Sequence, residues 1–97
     1  MPVIKLTPEV LEDSANKLRE ASNLNKDVID RLDNLIESLN ADWEGDAYNA
    51  FRDSYNNKRQ TFQEFNDDMV KFVDFLNKFA DVMREEERRQ ADAARNL

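Results

Sequence analysis

Apolar side chains recur along the first half of the chain in alternating steps of four and three: Leu11, Ala15, Leu18, Ser22, Asn25, Ile29, Leu32, Ile36 and Leu39. Ala21, Val28 and Leu35 widen the stripe on one flank. That period places one face on a core and predicts a helix over about residues 8–40. Thr7-Pro8-Glu9 marks its start. Thr offers a capping oxygen, Pro needs no amide partner in the first turn, and Glu faces the positive end of the helix. The residues before Thr7 read as a short extended tail. Ser22 and Asn25 interrupt the seam where Leu is expected. They are expected to meet a bulky aromatic or a wet spot, with a register-setting role as the alternative.

A second run starts at Tyr48 and continues through Phe51, Tyr55, Lys58, Phe62, Phe65, Met69, Phe72, Leu76, Phe79 and Met83. It predicts a helix over about 47–84 with a sustained heptad seam in which Lys58 is the only charge. Val70, Val73, Phe75, Ala80 and Val82 spread the apolar surface well past one stripe. The later half of this helix is therefore expected to touch more than its own hairpin partner, and a second chain is the economical candidate. After Met83 the pattern stops. Residues 85–97 form a charged, helix-prone tail, supported by carboxylate–Arg pairs worth tenths of a kcal/mol each and expected to fray in isolation, leaving it available for recognition.

Between the two patterns lies Asn40-Ala41-Asp42-Trp43-Glu44-Gly45-Asp46, with the only Trp and the only Gly of the chain. Gly45 suits a tight reversal, through positive φ and through close approach of two backbones. Asp46 is expected to cap the next helix, and Trp43 to lie against the last turn of one helix and the first of the other. The whole reads as a single all-α domain over 1–97: helix, turn at 40–46, helix, charged tail. Helices of thirty-odd residues would each be on the order of 50 Å long, so the hairpin is a rod.

Composition removes most other readings. A chain of 97 residues buries little surface unless something staples it, and with neither Cys nor His there is no disulfide and no ordinary zinc, haem or di-iron ligand set. Association is the remaining route, giving an antiparallel four-helix bundle, as a homodimer. Its hairpin and dimer core is assigned to Leu18, Ile29, Leu32, Ile36, Leu39, Phe51, Phe62, Phe65, Met69, Phe72, Leu76 and Phe79. The formal charge of -7 opposes nucleic acid and anionic bilayers, so membrane action is not expected. The opening Met-Pro-Val-Ile-Lys-Leu is too short for the apolar core of a secretory signal, and no later run is long enough to span a bilayer. Asp67-Asp68 and Glu85-Glu86-Glu87 read as solvated faces: adjacent helix positions diverge and no nucleophile or phosphate loop accompanies them. No enzyme, metal or cofactor is expected.

The Trp43-Glu44-Gly45 turn at the centre of a two-helix, Cys-free chain of this length resembles the Trp-X-Gly family of small bacterial proteins, relatives of the early secreted antigenic target of mycobacteria. Ala47 and Phe51 continue the Trp-x-Gly-x-Ala-x-x-x-Phe spacing frequent there, and Ile4-Lys5-Leu6-Thr7-Pro8-Glu9 looks like the opening of many members from Gram-positive bacteria. The resemblance covers the entire chain. It implies a dimeric helical hairpin made in the cytoplasm and secreted from a Gram-positive bacterium by the type VII system without a cleaved signal. The Trp-x-Gly turn of one subunit would lie near its partner's C-terminal tail, forming a composite signal read by a membrane-bound ATPase. Trp43 and Gly45 would be the turn half. The tail lacks the family's Tyr-x-x-x-Asp/Glu, since the last Tyr is Tyr55. In its place Val82, Glu86 and Ala93 loosely fit the apolar and acidic spacing of members that form homodimers without that Tyr. Otherwise a paralogous partner in a heterodimer carries the tail half. The implied role is that of a secreted virulence effector, or an adaptor escorting a larger co-secreted protein. The alternative from another class is a cytosolic coiled-coil dimerisation module.

Overall fold

A computed structural model describes residues 6–97; the extended tail read for the first five lies outside the described residues. Helix α1 spans Pro8–Leu39 and helix α2 spans Asp46–Arg95, folded back into an antiparallel hairpin of 79 × 24 × 21 Å. The start of α1 follows its sequence. Thr7 Oγ1 accepts from the Val10 amide at 3.1 Å, and Pro8 occupies the first turn.

The seam of α1 is the one its pattern predicts, with Leu11, Ala15, Ser22, Ile29 and Ile36 buried and Leu18, Leu32 and Leu39 half-buried. On α2 the buried residues are Tyr48, Asn66, Met69, Val73 and Ala80, while Leu76 is half-buried. The hairpin thus uses a column next to the one the aromatics mark. Phe51, Phe62, Phe65, Phe72 and Phe79, assigned to a combined hairpin and dimer core, stand exposed on the single chain and are no part of its hairpin core. The reason is steric. Ala15 and Ala80, both at 0% exposure, let the backbones come close near the open end, where facing phenylalanines would hold them apart.

The centre of the seam is polar. Ser22 Oγ donates to Asn66 Oδ1 at 2.7 Å, both residues buried, and Asn25 Nδ2 donates to the Phe62 carbonyl at 3.3 Å. Ser22 meets a polar partner on α2, the Asn66 side chain. A pair that must coincide to be satisfied ties a buried hydrogen bond to this one register of the two helices.

The hairpin has two unlike sides. Along one, ion pairs cross between the helices: Arg59 holds Asp33 with Nε–Oδ1 at 2.8 Å and Nη2–Oδ2 at 2.9 Å, and Arg84 reaches both oxygens of Glu12. Along the other, Phe51, Phe65, Phe72 and Phe79 rise at heptad steps, flanked by Phe62, Phe75 and Val82 and by Val28 and Leu35 of α1, all exposed. Apolar surface on this scale, broken in its column by Lys58, marks a contact face.

Helix α2 also continues past residue 84, where the sequence pattern stops, to Arg95. Glu, Arg, Gln and Ala are strong helix formers, and Arg88–Glu85, Arg89–Glu86 and Arg95–Asp92 pairs line the extension. The expected charged tail is therefore an overhang of α2 beyond the first turns of α1, where Arg84 makes its pair with Glu12.

The Asp33 cluster makes stability depend on pH. The Arg59 guanidinium holds the Asp33 carboxyl below its ordinary range against the opposing effect of burial, and the Tyr55 hydroxyl, donating to Oδ1 at 2.7 Å, lowers it further. The Arg84 fork lowers Glu12 in the same direction. Burial first, then Asp33, pushes Tyr55 up to about 12. A carboxylate more acidic in the folded than in the unfolded chain stabilises fully above the unfolded pKa of about 4, and loses that contribution as pH falls through its folded value. Melting temperature should accordingly fall on acidification below about pH 4, and fall less steeply in Asp33→Asn. Parallel melting curves from neutral to acid pH for the two proteins would show the cluster to be inert.

Candidate recognition site at the elbow

The elbow is built by exhausting the free carbonyls at the end of α1. A helix leaves its last four carbonyls without intrahelical donors. Here Glu37 O accepts from the Asn40 amide at 3.1 Å and Ser38 O from Ala41 at 3.3 Å. Leu39 O accepts from both Asp42, at 3.2 Å, and Trp43, at 2.9 Å. The fourth, Ile36 O, accepts from the Tyr48 hydroxyl at 3.0 Å, a side chain from the other helix. The chain then turns at Gly45, whose φ of 113° and ψ of -170° belong to a region essentially closed to residues with a Cβ. A side chain there would cost about 1–3 kcal/mol in strain.

Two details of the turn differ from the sequence reading. A Cβ at Gly45 would meet nothing within 4 Å, so backbone conformation alone requires glycine and no close approach is involved. Gly45 itself is the capping residue of α2, without a side-chain cap, and Asp46 is the first helical residue, placing its carboxylate at the positive helix end.

Trp43 rests on the first turns of α2. Its ring lies 5.8 Å from Tyr48 in an edge-on arrangement at 73° and 5.7 Å from Phe51, tilted at 39°. Tyr48 is buried, yet Trp43 keeps 38% of its surface exposed. The indole is both a plug for the hairpin end and an open apolar surface, bordered in sequence by Asp42, Glu44 and Asp46, all exposed.

The tail residues sit at the other end of the rod. Val82, Glu86 and Ala93 are all exposed on α2, Glu86 lying 3.7 Å from Arg89. Along α2, Glu86 stands roughly 60 Å from the elbow, so one chain does not bring turn and tail together. Sequence reasoning missed Tyr48, which it marked only as the start of a seam, and the Asp33–Tyr55–Arg59 cluster, whose members come from two helices.

Three shallow cavities of about 250–280 Å³ follow the ionic side, lined among others by Lys26, Asp30, Arg59 and Asp67, by Asp33, Arg52 and Tyr55, and by Arg19, Asn23 and Asp74. Their charges are mixed in sign, and Asp33 and Arg59 are held by each other. Among the described residues no three His, Cys, Asp or Glu side chains gather as metal ligands, and no helix is long and apolar enough to cross a membrane.

Comparison with known proteins follows the same geometry. A sequence model of the family described as "Proteins of 100 residues with WXG" matches residues 3–88. A secreted protein EsxB of Bacillus anthracis str. Sterne shares 31% identity at a TM-score of 0.78, over 87% of this chain and 90% of that one. Its selenomethionine-labelled form gives 30% and 0.83 over 90% and 99%. EsxA of Geobacillus thermodenitrificans gives 28% and 0.82 over 92% and 97%. No curated protein sequence matches.

Proposed function

From the premise that this chain belongs to the family of hundred-residue proteins with a Trp-x-Gly motif, we propose that it is a non-enzymatic protein exported by a type VII system as a dimer, acting as effector or as escort for a co-secreted partner. The observation that carries the reading is the pairing of an exposed indole on a rigid elbow with an uncovered phenylalanine face beside it. Two hairpins that bury those faces against each other form a four-helix bundle, and a homodimer needs no other partner. An antiparallel arrangement sets each overhang beside the other chain's elbow. Turn and tail, distant within one chain, then form one surface from Trp43 and Gly45 of one protomer and Val82, Glu86 and Ala93 of its partner. The reader of that surface is the secretion ATPase. The chain would be made in the cytoplasm of a Gram-positive bacterium and leave it without cleavage.

Export is the test. In a host with an intact secretion system, Trp43→Ala should remain helical and dimeric but stay in the cell, since the turn carbonyls are held by backbone amides and by Tyr48 rather than by the indole. Wild-type amounts of a folded, dimeric Trp43→Ala in the medium would remove the recognition role. Equal export from a host lacking the secretion ATPase would instead favour a module unrelated to that system.

A further inference from the structure

We propose that Tyr48 is the positioning residue of the elbow, the group that fixes where the Trp43 indole points. Its importance for export rests on the recognition reading above; its effect on the indole does not. Tyr48 is 3% exposed, and its hydroxyl crosses from α2 to the Ile36 carbonyl of α1 at 3.0 Å. That carbonyl lies in the last turn of α1, so the hydroxyl bond ties the end of that helix to α2. The same ring meets the indole edge-on at 5.8 Å, and the Arg52 guanidinium lies 5.9 Å from its centre.

The indole is thus held at two levels. Its backbone is fixed by the Trp43 amide on Leu39 O at 2.9 Å, and its plane by the Tyr48 and Phe51 rings. Phe51 is exposed and has no polar anchor, whereas Tyr48 is tied at its far end to the opposite helix. Removing the hydroxyl frees the ring to swing, and a half-exposed indole leaning on it moves with it. Any partner that reads the indole edge reads an orientation set by this tether.

Trp43 is the only tryptophan, so intrinsic fluorescence excited at the indole band reports this site alone. The experiment uses the full-length protein in three variants, Tyr48→Phe, Tyr48→Leu and Tyr55→Phe. Acrylamide is the quencher, because Asp42, Glu44 and Asp46 would repel an anion such as iodide. Tyr48→Phe should shift indole emission to the red and raise the quenching constant, and Tyr48→Leu should do both further. Tyr55→Phe also removes a hydroxyl bond between the helices, to Asp33, and should lower the melting temperature while leaving both optical signals at wild type. Unchanged emission and quenching in both Tyr48 variants, with folding intact by circular dichroism, would overturn the proposal. So would an equal shift in Tyr55→Phe, which would make the effect a general loosening. Reduced export of the dimeric Tyr48→Phe protein is the expected companion result. An indole that moves while export holds supports the positioning role and counts against the recognition reading.

Discussion

Phe72→Asp should convert the protein from dimer to monomer at micromolar concentration while leaving the hairpin helical. Phe72 is exposed on a single chain, so inside the hairpin the substitution exchanges one solvated side chain for another. In the bundle the same position is buried, and the two-fold operator places two carboxylates there at once. Taking a charge out of water without a partner costs several kcal/mol even after relaxation. Two of them on the order of 4 kcal/mol together would weaken association by about a thousandfold. Phe65→Asp should act alike, because Phe65 is the midpoint of the column from Phe51 to Phe79. Phe72→Leu keeps the surface apolar and should remain largely dimeric. Sedimentation over a concentration series reads the difference, and the melting temperature of the Asp variants should fall because dimerisation stabilises the folded chain by mass action. Aspartate variants as dimeric and as stable as wild type would mean that the phenylalanine face is not the interface.

The second large effect lies inside the hairpin. Ser22→Ala removes the donor that satisfies Asn66 Oδ1, leaving an amide oxygen buried at 5% exposure with no partner. An orphaned buried acceptor costs about 1–3 kcal/mol, whereas replacing both partners with apolar groups of suitable shape is close to neutral. A loss of that size in a chain this short lowers the melting temperature by about 4–8 °C per kcal/mol. The double variant Ser22→Ala/Asn66→Leu should recover most of it, and it should also lose uniqueness of register, seen as broadened amide resonances along the seam. Should the single and double variants melt together, the Ser22–Asn66 bond contributes nothing to the seam.

These two positions also mark how far the sequence could be read. Thr7 and Pro8 announce the start of α1 by local chemistry, and Gly45 announces the elbow because a positive φ needs glycine, so both were legible. The face of α2 that meets α1 was not. Its apolar residues occupy two neighbouring heptad columns, and periodicity alone favours the one richer in phenylalanine. Size decides in part: Ala80 is small and Asn66 polar, so both score poorly as core, yet Ala80 lets the helices come close beside Ala15. Asn66 gains its place from Ser22, forty-four positions away in sequence, and no local pattern shows that pairing. The length of α2 was understated for a related reason. A hydrophobic stripe reports where a helix is buried, not where it ends, and the arginine- and glutamate-rich overhang stays helical without a core. In the elbow, Trp43 was visible as a lone indole, but the role of Tyr48 depends on where the last turn of α1 meets the first turn of α2.

One arrangement is expected above all: two hairpins, phenylalanine face to phenylalanine face, running in opposite directions. Because the chain contains no cysteine, Asn49→Cys gives a single spin-label site on the exposed first turns of α2. With the two-fold axis at Phe65, the labels of an antiparallel dimer sit on opposite sides of it and should show one dipolar distance of about 50 Å. A distance of roughly 20 Å or less would mean elbows side by side in a parallel pair, and no intermolecular coupling would mean a chain that stays alone; either contradicts the shared surface of elbow and overhang.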